Sequence, residues 1–324
     1  MTMRALLALV LLAAATTAPA SAQGSGDFPN RPVKIVVPFP AGGPTDVNMR
    51  ILGQKLSEMW GQGVVIENRP GANTGIGAQM VAKSPADGYT LLAAMDTTLV
   101  MNPATGASMN YDPFKDFAAI TLTAKNTSLL TVRASDGPKT IAELIARGKA
   151  SATKLNYGAG ITITRLAGAT FAKAAGIEVQ LIPYKGSAEV VQGLLTGSVD
   201  FIVDGIAPSL PLIRGGQFRP LAKLNNRALP PLPDVKPLSE ASGLAIDEMS
   251  SWIGLVAPAG TPPAIVRKIQ ADVVRATNDA AVADRLEKAG IFPVTTTPEE
   301  FDKYFRTEAE RWTKVYKESG IKLD

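Results

Sequence analysis

Residues 33–46, VKIVVPFPAGGPTD, restrict this chain to few folds. Val33, Ile35, Val36 and Val37 make a short, apolar, β-branched run, the pattern of a strand covered on both faces. Pro38, Pro40 and Pro44 prevent that strand from continuing. Gly42 and Gly43 allow a tight turn that exposes backbone N–H groups. Thr45 and Asp46 are residue types that cap helix N-termini. A helix start at the C-terminal end of a strand is an anion site.

The same unit recurs. A helix is expected over 46–59, with Val47, Ile51, Leu52, Leu56 and Met59 close to a 3.6 period. A strand at 64–67, a second Gly-rich turn at 68–77, a helix at 76–83 and a strand at 90–94 follow; Asp96, Thr97 and Thr98 come directly after. Repeated βα units with short loops predict a parallel sheet flanked by helices. Two strand-like runs, 118–123 and 128–132, are broken at Lys125-Asn126-Thr127, read as a crossing into a second domain. Asn126-Thr127-Ser128 also matches a glycosylation sequon, which means little in a bacterial export context.

Residues 128–224 repeat the opening plan. A Gly158-Ala159-Gly160 turn leads into a helix at 162–174, Pro183–Ser187 leads into one at 188–195, and a strand at 199–203 ends at Asp204. A Pro-broken helix is expected at 206–214. The strand 252–258 returns to the first unit. Ile265, Val266, Ile269, Val273 and Ala276 line one helix face, and Thr297 with Glu300 forms a capping box. Phe301, Tyr304, Phe305 and Trp312 on the last helix read as core packing. The expected fold class is α/β: domain 1 from 27–124 and 247–324, domain 2 from 125–246, and a cleft between two sheets. Helix starts at 41–46 and 158–164 would face each other there. They suit a ligand with an anion at each end, each contributing about 0.3–1 kcal/mol of dipole stabilisation.

What the chain lacks narrows the chemistry. None of its 324 residues is His or Cys. Disulfides, thiol nucleophiles, a Ser-His-Asp triad and Cys/His metal sites are excluded, and no cofactor is expected. Net charge is +4 with scattered basic residues, so nucleic acid is not an expected partner. The Rossmann glycine spacing is absent, Ser151-Ala152-Thr153-Lys154 lacks full partner motifs, and G-x-S-x-G is missing. Residues 1–22 form an export signal: Arg4, an apolar run at 5–15, and Ala20-Ser21-Ala22 as the cleavage site. That run is too short for a membrane anchor, so a soluble periplasmic protein is expected. A secreted α/β enzyme using carboxylate chemistry is the rival reading, and a ligand sensor docking on a membrane signalling protein is a third.

The blocks PFPAGGPTD, ENRPGA, DGYTLL, PYKGS and SWIGLVAPAGTP, in this order from Phe28 onward, resemble the Bug-type extracytoplasmic solute receptors of tripartite tricarboxylate transporters. The resemblance implies a two-lobed periplasmic binding fold of type II-like plan, with parallel or mixed sheets flanked by helices. It also implies a small carboxylate ligand, no catalysis, and two membrane partners, one large and one small; a monomer is expected. Carried over residue by residue, the ligand positions fall on Phe39, Ala41, Gly42, Gly43, Thr45 and Asp46, with Asp46 read mainly as fixing its loop. They continue at Asp96, Thr97 and Thr98, then at Gly186, Ser187 and Asp204. The chain departs from the family at 156–168, where the turn is about two residues shorter and Arg165 stands where a His is usual. Gly160, Thr162, Thr164 and Arg165 are the candidates there. Arg165 has two readings: a grip on the distal carboxylate, or an outward-pointing surface side chain.

Overall fold

The computed structural model describes residues 28–319. The expected export signal at 1–22, with its expected cleavage site, lies outside the described residues. Strand β1 (Val33–Val37) is buried at every position but Lys34. It pairs in parallel with β2 (Val64–Asn68) and β3 (Thr90–Met95), Ile35 lying opposite Ile66 and Leu91. Helices α1 (Pro44–Trp60) and α2 (Gly75–Ala82) make the crossovers. Helix α1 starts two residues earlier than its apolar period predicts. Gly43 is the N-cap and Pro44 takes the first turn, where its missing N–H and fixed φ cost nothing. Thr45 and Asp46 therefore lie inside the helix rather than capping it.

Strand β3 ends in a π-helical turn (Thr97–Met101) and a short helix, α3 (Asn102–Thr105). Strand β4 (Phe117–Asn126) then runs beside β10 (Ser251–Pro258), which is antiparallel to both β3 and β4. With β11 (Ile291–Pro293) at the edge, the first lobe has a mixed six-stranded sheet, ordered β11-β4-β10-β3-β1-β2.

A single residue, Thr127, separates β4 from β5 (Ser128–Arg133), the first strand of the other sheet. The second lobe adds α4 (Ile141–Ala150), β6 (Leu155–Ala159), α5 (Thr162–Ala175), β7 (Val179–Pro183), α6 (Ser187–Thr196), β8 (Phe201–Gly205), α7 (Ile206–Arg214) and β9 (Phe218–Lys223). Its sheet runs β7-β6-β8-β5-β9, with β6 parallel to its neighbours and β5 antiparallel to its own. Helix α5 packs closely on β6: a Cβ at Gly168 would stand 2.3 Å from the Tyr157 ring. The chain returns through α8 (Leu238–Ser242) to β10.

Asn225 ties the two crossings together. It shares a hydrogen bond with Thr127 on the first, and its Nδ2 donates to Ser250 Oγ at 3.0 Å on the second. Helices α9 (Pro263–Thr277), α10 (Ala280–Lys288) and α11 (Pro298–Ser319) complete the first lobe. The predicted face of α9 is buried at Ile265, Val266, Ile269, Val273 and Ala276. The capping box of α11 is complete, with Glu300 N donating to Thr297 Oγ1 and Thr297 N to Glu300 Oε2. Phe301 and Tyr304 pack edge-on against Trp252 of β10, so the aromatic stripe is core. Each fully buried large side chain of this kind contributes about 1.5–3 kcal/mol.

Candidate functional site

The lobes meet along their strand ends. A Cβ at Gly186 would lie 3.1 Å from the Pro40 ring, and one at Gly205 would lie 3.1 Å from the Pro44 ring. Across the same seam Asn73 Nδ2 donates to Thr162 Oγ1 at 3.1 Å. Helix α5 of the second lobe also rests on the π-helical turn of the first. Two adjoining pockets share Phe39, Pro40 and Ile161.

The inner pocket has about 470 Å³ of empty space, open solvent at its mouth included. Lobe one contributes Phe39, Gly43, Thr45 and Met95; lobe two contributes Ile161, Gly186, Ser187, Asp204 and Gly205. Asn126, Ser128 and Ser251, which flank the crossings, complete it. The starts of α1 and α6 both open here, so unpaired helix N–H groups and two positive dipole ends converge. The outer pocket is larger, about 1070 Å³ by the same measure. Its polar lining is Asn73, Thr74, Arg165, Tyr184 and Lys185, with Gly160 between them.

Charge is segregated between the two. The inner pocket holds one acid, Asp204, and no base; the outer holds Arg165 and Lys185 and no acid. Asp204 is buried. One of its oxygens accepts from Ser187 Oγ at 3.0 Å, and Oδ2 has no partner. Burial pushes the Asp204 carboxyl up to about 7, and the bonds from Ser187 and the Gly205 backbone offset only part of that. Both amide atoms of Asn126 are also buried without partners.

Arg165 is half-buried and curls back along its helix. Its Nη2 donates to the carbonyls of Tyr184 (3.2 Å) and Gly160 (3.4 Å), while Nε is buried and unpartnered. No carboxylate among the described residues pairs with it. Burial lowers its pKa, with the Tyr157 charge acting weakly against that.

The remaining predicted residues line neither pocket. Asp46 is committed to its loop: Oδ2 accepts from Gly42 N (2.9 Å) and Arg50 Nε (3.0 Å), and Oδ1 accepts from Asn68 Nδ2 (3.0 Å). Burial works to raise its pKa, but these bonds and the Arg50 charge together hold it below the ordinary carboxylate range. Gly42, at φ +84°, supplies the left-handed turn that the loop needs, and Ala41 precedes it on the surface. Asp96, Thr97 and Thr98 are fully covered; Asp96 accepts from Thr97 N and caps the π-helical turn. Burial pushes Asp96 up to about 7 as well, against bonds from Thr97 and the Trp252 backbone. Thr162 takes the bond from Asn73, and Thr164 Oγ1 donates to Ile161 O at 2.9 Å. Sequence reasoning missed Asn126, Ser128 and Ser251 as lining. The strand break at Lys125-Asn126-Thr127 was the available signal, because chain crossings of a two-lobed fold run beside its cleft.

No group of His, Cys, Asp or Glu that could hold a metal occurs among the described residues. No helix among them is long and apolar enough to cross a membrane. The model of the family described as tripartite tricarboxylate transporter family receptor matches residues 48–321. The chain belongs to this receptor family. Its relatives are solute-binding proteins of the periplasm rather than enzymes. The protein BugT of Bordetella pertussis is 32% identical over 326 residues, covering 100% of both chains. The receptor is also similar to R. palustris Rpa4515, solved with adipate, at 35% identity and TM-score 0.87, over 91% of this chain and 99% of that one. MatC from Rhodopseudomonas palustris, solved with bound malate, is 30% identical with TM-score 0.82, over 89% and 99%. The receptor is thus a two-lobed binding protein on two mixed sheets.

Proposed function

We propose that this receptor captures a small dicarboxylate in the cleft and presents it to a tripartite transporter in the membrane. One carboxylate enters the inner pocket, at the starts of α1 and α6. The carbon chain crosses the apolar seam of Phe39, Met95 and Ile161. The second carboxylate reaches Arg165. The observation that carries this reading is the half-buried Arg165 guanidinium with no acidic partner among the described residues. A guanidinium in that state fits a bidentate carboxylate. Adipate and malate in similar proteins support the ligand class.

The expected boundary at 124/125 falls two residues early, because Lys125 and Asn126 still pair with β10 in the first sheet. The two lobes close over the ligand by rotation about Thr127 and exclude water. The protein acts as a monomer in the periplasm after cleavage near Ala22, and delivers to one large and one small membrane subunit. A thermal-shift and calorimetric screen of succinate, glutarate, adipate, malate, citrate and benzoate tests this. Stabilisation grows as RT ln(1 + [L]/Kd). Saturable binding of at least one dicarboxylate, with the ligand recovered unchanged, is expected. No response to any of them, or conversion of the ligand to product, refutes it.

A further inference from the structure

Asp204 stands at the end of β8, between the starts of α6 and α7, where it lines the inner pocket; its Oδ2 is buried and has no partner. The charges on every element around it are engaged or distant. On α1, Asp46 and Arg50 pair with each other. On α6, Glu189 is exposed and accepts from Lys185 N. On β5, Arg133 pairs with Asp136 at the far end of the strand, and on α7 the charged residue is Arg214, at its last position. Arg165 and Lys185 belong to the outer pocket, beyond Ile161. The inner pocket has no cationic side chain to compensate a second negative charge beside Asp204; the helix ends supply only partial charge.

A ligand carboxylate seated there makes a carboxyl pair. Two carboxylates in hydrogen-bond contact cannot both remain ionised; they share one proton. We infer that Asp204 meets the ligand as the neutral acid, donating its carboxyl hydrogen to the ligand's inner carboxylate, so that one proton from solvent is taken up with each dicarboxylate. The inference rests on the dicarboxylate reading of the cleft. Burial already brings Asp204 up to about 7 before any ligand arrives, so an anion beside it needs little further shift. The unengaged Asn126 amide offers the same carboxylate a second donor. The arrangement also sets specificity. A ligand carrying an ammonium at its inner end meets an ionised Asp204 and takes up no proton.

Calorimetry tests this. The protein is titrated with succinate and with adipate between about pH 7 and pH 9, where both ligands are fully ionised, in two buffers of different ionisation enthalpy. Uptake approaching one proton per ligand is expected at the upper end. Affinity falls there by about tenfold per pH unit. Asp204→Asn removes the uptake and the pH slope together. Dicarboxylate binding with no proton uptake by the unmodified protein overturns the inference and leaves the receptor reading standing. So does an Asp204→Asn variant that retains the uptake. Failure of every carboxylate to bind overturns both.

Discussion

Asn73 Nδ2 donates to Thr162 Oγ1 at 3.1 Å and so links the first lobe to the second across the cleft. Asn73 lies in a run of three residues with left-handed backbone, Ala72, Asn73 and Thr74, at φ +46°, +48° and +76°. Such conformations cost roughly 1–2 kcal/mol per residue. Asn102 holds the turn in place: its Nδ2 donates to Asn73 O at 2.8 Å, and its Oδ1 accepts from Asn73 Nδ2 at 2.6 Å. Thr162→Val removes only the interlobe bond. A net hydrogen bond contributes about 0.5–1.5 kcal/mol. Dicarboxylate affinity is expected to fall roughly two- to tenfold, with the melting temperature of the unliganded protein nearly unchanged. An equal loss of unliganded stability would show that the bond supports the fold rather than closure.

Arg165→Ala is expected to weaken succinate by about 1.5–3 kcal/mol, the range for hydrogen bonds to charged groups. Butyrate, with the same chain and one carboxylate fewer, should lose much less. Arg165→Lys keeps the charge but not the bidentate fork and falls between the two. Isothermal titration of the pair separates the outcomes. A change below about 0.5 kcal/mol for succinate, the usual range for a surface substitution, contradicts a direct contact.

Asp96 makes a stability prediction with a definite sign. Its folded pKa, about 7, lies above the ordinary 3.8, so the unfolded chain releases its proton first as pH rises. Stability is therefore lost as pH climbs from about 4 to about 7, by at most about 4 kcal/mol. Asp46 has the opposite sign: its pKa is depressed, and its contribution disappears as pH falls below about 4. Asp96→Asn should gain stability relative to the unmodified protein, and more at pH 8 than at pH 5. Urea unfolding at both pH values measures the difference, and a gain that does not vary with pH contradicts the account.

Gly186 and Gly168 should respond differently to a side chain. Gly186 has extended backbone at φ −177°, so a substitution is not strained there, but its Cβ meets Pro40 of the other lobe. Gly186→Val should leave melting of the unliganded protein little changed and prevent full closure, read as weak binding and an unaltered radius of gyration on adding ligand. Gly168→Ala drives a methyl into the Tyr157 ring inside lobe two and should cost about 1–3 kcal/mol of stability.

Much of the fold could be read along the chain because the signals are local. The β-branched run at Val33–Val37, the buried face of α9 and the Thr297–Glu300 box each act within a few residues. The π-helical turn at Thr97–Met101 could not be read so. TTLVM has no strand or helix period, and it packs mainly against α11 of its own lobe, with α5 of the other lobe beside it. The lining of the inner pocket was legible where one turn supplies it, as at Phe39, Gly43 and Thr45. It was not legible at Asn126, Ser128 and Ser251, which converge only because two crossings more than 100 residues apart run side by side. For Arg165, periodicity allows a helix face but not a rotamer; the curl onto the carbonyls of Gly160 and Tyr184 is a tertiary fact.

Asn225 reaches both segments that join the lobes, through Thr127 on one and Ser250 on the other. Two independent strips between rigid bodies permit shear and torsion as well as bending. The Asn225 amide, with the backbone bonds Leu224 N to Ser128 O and Met249 N to Leu224 O, ties the two strips together and restricts their independent motion. Strips tied in this way carry a displacement of either one to the other, and so to the Pro40–Gly186 seam as a whole. The hinge of this receptor is thus one braced unit rather than two loose tethers.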